Sequence, residues 1–374
     1  MLERIRIRNY KSILDTTLSL SFTKKRAGKG YRENDTMYFL EDGKRRSVPF
    51  LVMYGANSSG KSTLLSALHL LRDLVRDGVE RVGYYPNRLD EGEEGTSFFL
   101  TSSIDGIWYD YSLCYTEGAI LSESLSADDE VVFIIERGIL LKGENDLGAV
   151  VKDGRQRLSL LSGESGSEDI MVFGSFIRDR LLFFNSFRYS VNDAFASYVR
   201  LSGRTREECM ERVREFSRKL DLSIYDIEDG EKWKTEHLDG KKRGIWFTLD
   251  EESEGTKRLF ALVSIIFASL SSGAVLVADE IDVSLHSIVL RVLVSLYSSR
   301  EYNTGNAQLL CSAHNTDLLD APYITADEIA FFEKTVRRGS IITRLSEIEG
   351  AGRVSSYRKK YLQGGFSGIP FPYI

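Results

Sequence analysis

Gly55-Ala56-Asn57-Ser58-Ser59-Gly60-Lys61-Ser62 satisfies the phosphate-loop pattern of two spaced glycines, a lysine and a hydroxyl without a mismatch. The glycines let successive backbone N–H groups turn inward around phosphates, and a following helix adds the positive end of its dipole. Lys61 would reach the outer phosphates, and the Ser62 hydroxyl would hold Mg²⁺. The loop with Thr63 is therefore a candidate nucleotide site, but kinases, GTPases and motor ATPases all share it.

Three further stretches narrow the chemistry. The apolar run Ala274–Ala278 closes on Asp279-Glu280, and acids at the C-terminal end of a strand sit where open α/β sheets bind ligands. Asp279 would join the Mg²⁺ shell and Glu280 would polarise the attacking water, since phosphoryl transfer to water needs a positioned base. The bland alternative is a pair of acids capping the next helix. A second apolar run, Leu309–Ala313, closes on His314 about 35 residues after the acid pair. There His314 could touch the terminal phosphate and sense its presence, although an isolated histidine is often structural. Ser253-Glu254-Gly255-Thr256 opens a helix about 25 residues before the acid pair. Ser253 suits an N-cap and Gly255 a close backbone approach to an anion; the competing reading is a helix start and nothing more.

The surrounding pattern supplies the elements that must hold these groups. Arg-Ile-Arg-Ile-Arg over Arg4–Arg8 predicts a half-exposed first strand, and Val48–Tyr54 predicts a strand buried on both faces that runs straight into Gly55. Leucines at helical spacing follow from Thr63 to Leu74. Short strand-like runs at Ser97–Ser102, Ile107–Tyr115 and Val131–Glu136, separated by Asp105-Gly106 and Glu117-Gly118, predict an antiparallel segment. Gly143–Glu168 is polar and reads as loop, and Thr205–Leu220 as a helix with one apolar stripe. Lys257–Leu270 and Ser284–Ser299 read as helices, Gln308–Ser312 as a strand, and Glu328–Glu333 with Ile341–Leu345 as a closing hairpin. No internal repeat and no sustained heptad array is present.

Composition bounds the rest. With 42% hydrophobic and 28% charged residues, the chain resembles an ordinary globular protein with a sizeable core. The longest apolar run, Leu259–Leu270, is shorter than the roughly 20 residues of a bilayer span and carries two serines, which predicts a buried helix and no membrane association. Charges in Met1–Ile5 stand where a signal peptide needs its apolar core, and Cys114, Cys209 and Cys311 have no metal-like spacing, which leads to the expectation of reduced thiols in a cytoplasmic protein. A net charge of −6 argues against a surface built throughout for nucleic acid. Basic clusters at Lys24-Lys25-Arg26, Lys44-Arg45-Arg46, Lys241-Lys242-Arg243 and Arg358-Lys359-Lys360 read as solvated faces.

The four stretches, in this order, resemble the ABC-type ATPase superfamily with its Walker A, signature, Walker B and switch histidine. Ser253–Thr256 would be a degenerate signature lacking the usual Leu-Ser-Gly-Gly-Gln wording. Ile7-Arg8-Asn9-Tyr10-Lys11-Ser12 looks like the opening strand of the soluble branch that holds chromosome-structural (SMC) and DNA-repair ATPases. Asp279-Glu280-Ile281-Asp282-Val283-Ser284-Leu285-His286 is similar to the extended Walker B and D-loop of the OLD-like and RloA-like ATPases of phage defence. Tyr361–Pro370 resembles the RloA-like C-terminus. The likeness covers both ends of the chain and not the middle, about residues 140–245.

The resemblance implies an α/β fold: a single ATPase head over 1–374 with a mixed central sheet, an antiparallel β subdomain and a helical insert. Residues 1–150 would form the lobe with Walker A, 151–245 a variable insert, and 246–374 the lobe with signature, Walker B and switch histidine. It also implies ATP and Mg²⁺ as cofactors and a homodimer, or a higher oligomer, in which each ATP lies between Walker A of one copy and Ser253/Gly255 of the other. Such ATPases usually add a Gln between Walker A and signature. Gln156 is the only Gln in that interval and reads as a surface-loop residue, which leaves Asn57 or a residue near Asn185 as substitutes.

The leading expectation is an ATPase that switches or scaffolds a separate effector, a nuclease, in bacterial defence against phage. Only 60 residues follow His314, too few for an appended nuclease domain. The alternative is a repair or recombination head that clamps DNA itself, which predicts a basic groove across the dimer. A transporter subunit or a small-molecule kinase fits the motifs less well.

Overall fold

The structure is a computed structural model, and it describes residues 1–23, 47–88, 92, 94–143, 150–152, 154–163, 166–185, 190–220, 224–228, 233–239, 241, 243–335, 339–351 and 354–369. The basic clusters Lys24-Lys25-Arg26 and Lys44-Arg45-Arg46, with Lys242 and Pro370, lie outside the described residues.

The chain opens with the antiparallel pair β1 (Leu2–Tyr10) and β2 (Ile13–Ser19). The alternation of β1 buries Ile5 and Ile7 and turns Arg6 outward, where it meets Asp15 of β2 at 2.6 Å. β3 (Phe50–Gly55) leads through the glycine loop into α1 (Lys61–Asp77). The strands β4 (Thr96–Ile104), β5 (Ile107–Thr116), β6 (Ala119–Ala127), β7 (Glu130–Glu136) and β8 (Ile139–Lys142) follow as an antiparallel meander. Two short strands follow, β9 (Val151–Lys152) and β10 (Arg155–Gln156); β10 pairs back onto β6 and β9 onto β10.

The middle of the chain holds α2 (Glu168–Asp179), β11 (Leu181–Asn185), α3 (Val191–Ser202) and α4 (Arg206–Lys219). A separate three-stranded antiparallel sheet comes next, made of β12 (Ile224–Glu228), β13 (Lys234–Leu238) and β14 (Gly244–Thr248). The remaining elements are α5 (Glu254–Ser272), β15 (Val275–Asp279), α6 (Ser287–Ser295), β16 (Gln308–Ser312), β17 (Ile329–Thr335), β18 (Gly339–Arg344) and α7 (Tyr357–Leu362).

One mixed sheet of 15 described strands organises the molecule, in the order β11-β15-β16-β3-β17-β18-β2-β1-β4-β5-β6-β10-β9, with β7 and β8 branching from β6. β11, β15, β16, β3 and β17 are mutually parallel, and the antiparallel meander continues the same sheet through β1 and β4. The parallel strands carry apolar cores because both their faces are buried, and their polar residues sit at their ends. In β3, Phe50, Val52 and Tyr54 enter the core shared with α3, α4, α5 and α6, while Leu51 and Met53 enter the core shared with α1 and α2. β15, β16 and β17 divide their side chains in the same way.

α5 is buried from Leu259 to Leu270 between the sheet and the α3–α4 layer, and it is the run that the sequence marks as a buried helix. Among the described residues no helix is long and apolar enough to cross a membrane.

Two expectations are corrected. Gln156 is not on a surface loop: it is fully buried on β10 and donates to Glu123 at 2.5 Å and to the Leu158 carbonyl at 3.1 Å. The stretch around it reads as polar because Gln156 Nε2, the Ser159 hydroxyl and the Leu160 N–H all donate to the buried Glu123 carboxylate inside the sheet edge. The strand β6, with serines on alternate positions, is also absent from the pattern reading; its buried face is carried by Ile120, Glu123 and Leu125.

Candidate functional site

The five parallel strands all end on one edge of the sheet, where loops collect the polar groups. Gly55 closes β3 at φ 153°, Ser58 takes φ 63°, and Gly60 takes φ 112° immediately before α1. A methyl group on Gly60 would lie 2.1 Å from the Ser340 hydroxyl, so only glycine admits this close packing of β18 against the loop. Gly60 offers no side-chain cap and the first turn of α1 has no acid, so the helix keeps its N-terminal N–H groups and dipole for an anion. The Lys61 ammonium reaches back over the loop to the carbonyls of Gly55 (2.6 Å) and Ala56 (3.0 Å). Burial lowers its pKa, and the nearby Asp279, Glu280 and Asp282 carboxylates partly offset that.

β15 brings Asp279 to this loop. The Ser62 hydroxyl donates to Asp279 Oδ1 at 3.1 Å, and the Ser312 hydroxyl donates to the same oxygen at 2.6 Å. Ser312 also accepts the backbone N–H of Glu280 at 2.7 Å. Glu280 sits at φ 52°, a strained conformation for a non-glycine residue, and Ser312 helps hold it there. Its carboxylate stands 3.9 Å from His314 Nε2, at the end of β16. Asp282 accepts the backbone N–H groups of His314 (2.8 Å) and Asn315 (2.6 Å), which fixes the histidine loop against the acid turn.

Lys61, Ser62, Asp279, Glu280 and His314 therefore converge on one edge, as their strand-end positions require. Ser312 and Asp282 complete the arrangement. Asp282 lies in the Asp279–His286 stretch without a role assigned to it, and a serine inside an apolar strand carries no distinct signal. Asn185 ends β11 opposite Asp279 in the parallel register, and it lines the same cleft of about 650 Å³ as Ser62, Asp279, Arg72 and Phe183. Its clue was the apolar run Leu181–Phe184 closing on a polar residue, the same pattern that marks Asp279.

Mg²⁺ prefers a few hard oxygen ligands and keeps the rest of its shell for water and phosphate. The Ser62 hydroxyl and the Asp279 carboxylate fit that donor set, and among the described residues no cluster of three or more His, Cys, Asp or Glu forms a closed metal cage.

Ser253–Thr256 is built differently from the α1 terminus. The Ser253 hydroxyl caps α5 by accepting Thr256 N–H at 3.1 Å, and Glu254 places an acid in the first turn, paired with Lys257 at 3.0 Å. A methyl on Gly255 would stand 3.0 Å from the Ser284 carbonyl, so this glycine lets α5 lie close to the turn after the acid pair. Ser253 and Glu254 are exposed. α5 leads by a glycine turn directly into β15, so its N-terminus faces the same edge as Asp279.

A glycine loop between a central parallel strand and a helix, with a strand-end aspartate beside its serine, defines a P-loop nucleotide site on a mixed α/β sheet. The chain belongs to the family described as "AAA domain, putative AbiEii toxin, Type IV TA system", which matches residues 50–320. It is accordingly an ATP-binding P-loop ATPase of that family. No curated protein matches the chain. Among solved structures it is similar to the SMC head domain from Thermotoga maritima, with 14% sequence identity, a TM-score of 0.44, and coverage of 92% of this chain and 98% of that one.

Proposed function

We propose that the chain hydrolyses ATP in an ABC-type site completed by a second copy of itself, and that this cycle switches a separate effector. The observation that carries the reading is the unequal pair of helix termini. The α1 terminus has no side-chain cap and lies beside Asp279 and Glu280, whereas Ser253 and Glu254 are exposed on the same edge, with the Ser253 hydroxyl capping α5 and Gly255 lying against Ser284. A second copy could therefore offer Ser253 and Gly255 to the ATP held by the first.

In this reading the backbone N–H groups of the loop and α1 hold the phosphates, with Lys61 on the outer two. Ser62 and Asp279 would hold Mg²⁺, which when bound would supply positive charge to the phosphate oxygens. Glu280 orients a water and accepts its proton as the water oxygen attacks the terminal phosphorus. The bond from that phosphorus to the bridging oxygen breaks, and ADP and phosphate leave. His314, beside Glu280, contacts the terminal phosphate and so reports its loss to the loop that Asp282 braces. The ATP-bound and ATP-free pairs are two states whose balance the terminal phosphate shifts.

The likeness of Asp279–His286 and of the tail to RloA-like ATPases supports a role in phage defence with a nuclease as effector. The family description names a toxin of a TA system, a setting that favours a chain working with a second component.

The test is the solution mass of the Glu280→Gln chain with and without Mg-ATP. ATP should convert monomer to dimer or tighten an existing dimer, and adding Ser253→Arg should abolish that response. A mass indifferent to ATP, in a chain whose wild type still hydrolyses it, sinks the shared-site reading.

A further inference from the structure

The tail stretch singled out in the sequence, Tyr361–Pro370, has no task in the site described above, yet its described part ends against the start of the phosphate loop. Ser356 caps α7 through Lys359 N–H at 3.0 Å and donates its hydroxyl to Asp320 at 2.6 Å. Arg358 binds Asp317 at 3.0 Å and the Thr316 hydroxyl at 3.2 Å. These contacts tie α7 to the short turn Thr316–Asp320, which follows His314 directly.

Tyr361 then enters the core. Its ring stacks on Phe331 with centroids 5.1 Å apart and lies 5.9 Å from the ring of Tyr54, the residue before Gly55. The chain reverses at Gly364, φ 74°, and Phe366 stacks on Phe331 at 5.4 Å. Gly368 follows at φ 87°, and the Tyr361 hydroxyl donates to its carbonyl at 3.4 Å. A methyl group on Gly368 would stand 3.0 Å from the Phe332 carbonyl oxygen and 3.3 Å from Gly55 Cα. A methyl on Gly55 would stand 2.4 Å from that same Phe332 oxygen. Three backbones, at Gly55, Phe332 and Gly368, therefore meet where no side chain fits.

Gly55 is also the anchor of the phosphate-binding lysine, because its carbonyl accepts the Lys61 ammonium at 2.6 Å. Tyr54 meanwhile donates its hydroxyl to the Asn315 carbonyl at 3.0 Å, one residue past His314. A segment pressed on Tyr54 and Gly55 thus bears on both the lysine and the histidine loop.

The geometry points to residues 356–369 as a clasp of the nucleotide site, with Gly368 a positioning residue that fixes Gly55 and so sets where Lys61 meets the terminal phosphate. This rests on the ATPase reading above. The clasp touches the loop at its first glycine and not at the α1 N–H groups that hold the inner phosphates. Loosening it should therefore cost ATP more than ADP, and turnover more than stability.

The experiment uses the full chain with Gly368→Ala and, separately, Tyr361→Phe, which removes only the hydroxyl contact. ATP turnover and melting temperature are measured on each, with calorimetric binding of ADP and, in the Glu280→Gln background, of ATP. Gly368→Ala is expected to lower kcat about 10-fold and weaken ATP about 10-fold while ADP weakens less than about 3-fold, with a modest fall in melting temperature from the strained φ. Tyr361→Phe should show the same split on a smaller scale, and it decides the matter if Gly368→Ala does not fold. ATP and ADP weakening by one common factor alongside a lowered melting temperature would make the tail a structural strap and overturn the proposal. Wild-type turnover in Gly368→Ala, with Lys61→Ala inactive, would overturn it equally. A wild-type chain that neither binds nor hydrolyses ATP overturns the ATPase reading, and the clasp with it.

Discussion

Asn185 and Asp279 stand directly opposite each other at the ends of two parallel strands, β11 and β15. Both line the cleft that Ser62 also lines, so a carboxamide and a carboxylate face the place where metal and attacking water would gather. Asn185 is one of the substitutes the sequence offered for the Gln of ABC-type sites, and Gln156 is instead bonded to Glu123.

Replacing Asn185 with Ala should therefore lower kcat by about 100-fold, the scale seen when one oriented polar group is removed from a transition state. ATP affinity should change little, because the phosphates are held from the other side by the loop. Steady-state ATPase assays with a parallel binding titration read both. Turnover equal to wild type would remove Asn185 from the site.

Glu123 makes a second, purely architectural prediction. Its buried carboxyl group accepts from the Tyr111 hydroxyl (2.9 Å), Leu160 N–H (3.0 Å), Gln156 Nε2 (2.5 Å) and the Ser159 hydroxyl. Glu123→Ala strands several donors at once and should cost about 3 kcal/mol or more in denaturant unfolding. The cluster lies by the far end of α1, whose 17 residues separate it from the loop by about 25 Å. ATP turnover at low temperature should survive the change, and a large loss of kcat in folded protein would contradict this assignment.

Glu328 should impose a pH dependence on stability. It is buried beside Asp327 and Arg344, and burial pushes its carboxyl group up from 4.5 to about 8. An acid whose pKa is raised by folding binds its proton more tightly in the folded chain. Its contribution is then fully present below about pH 4.5 and is lost as pH rises through about 8. Melting temperature should fall across that window, and Glu328→Gln, which stays neutral, should flatten the fall. Equal slopes in the two proteins would assign the dependence to other groups.

The motifs and the parallel strands β3, β15 and β16 were legible from the chain alone because their signals are local, whereas β11 was not read as a strand and β17 only as one arm of a hairpin. Gly55–Ser62 encodes its own turn and helix start, and Val275–Asp279 and Leu309–His314 announce doubly buried strands by unbroken apolar runs. Ser253 was equally readable as an N-cap, since capping involves only the next three residues. Gln156 and β6 were not legible, because polar side chains that satisfy one another inside a fold carry the same letters as a surface loop.

By itself, then, the sequence determined the presence of a phosphate loop, an acid pair, a strand-end histidine and the helices and strands that carry them. Only the tertiary structure decided that Ser312 bridges Asp279 and Glu280, that Asn185 stands beside Asp279, and that Gly368 closes on Gly55. Those relations join residues distant along the chain through strand register and close backbone packing, and neither leaves a periodic trace in the order of amino acids.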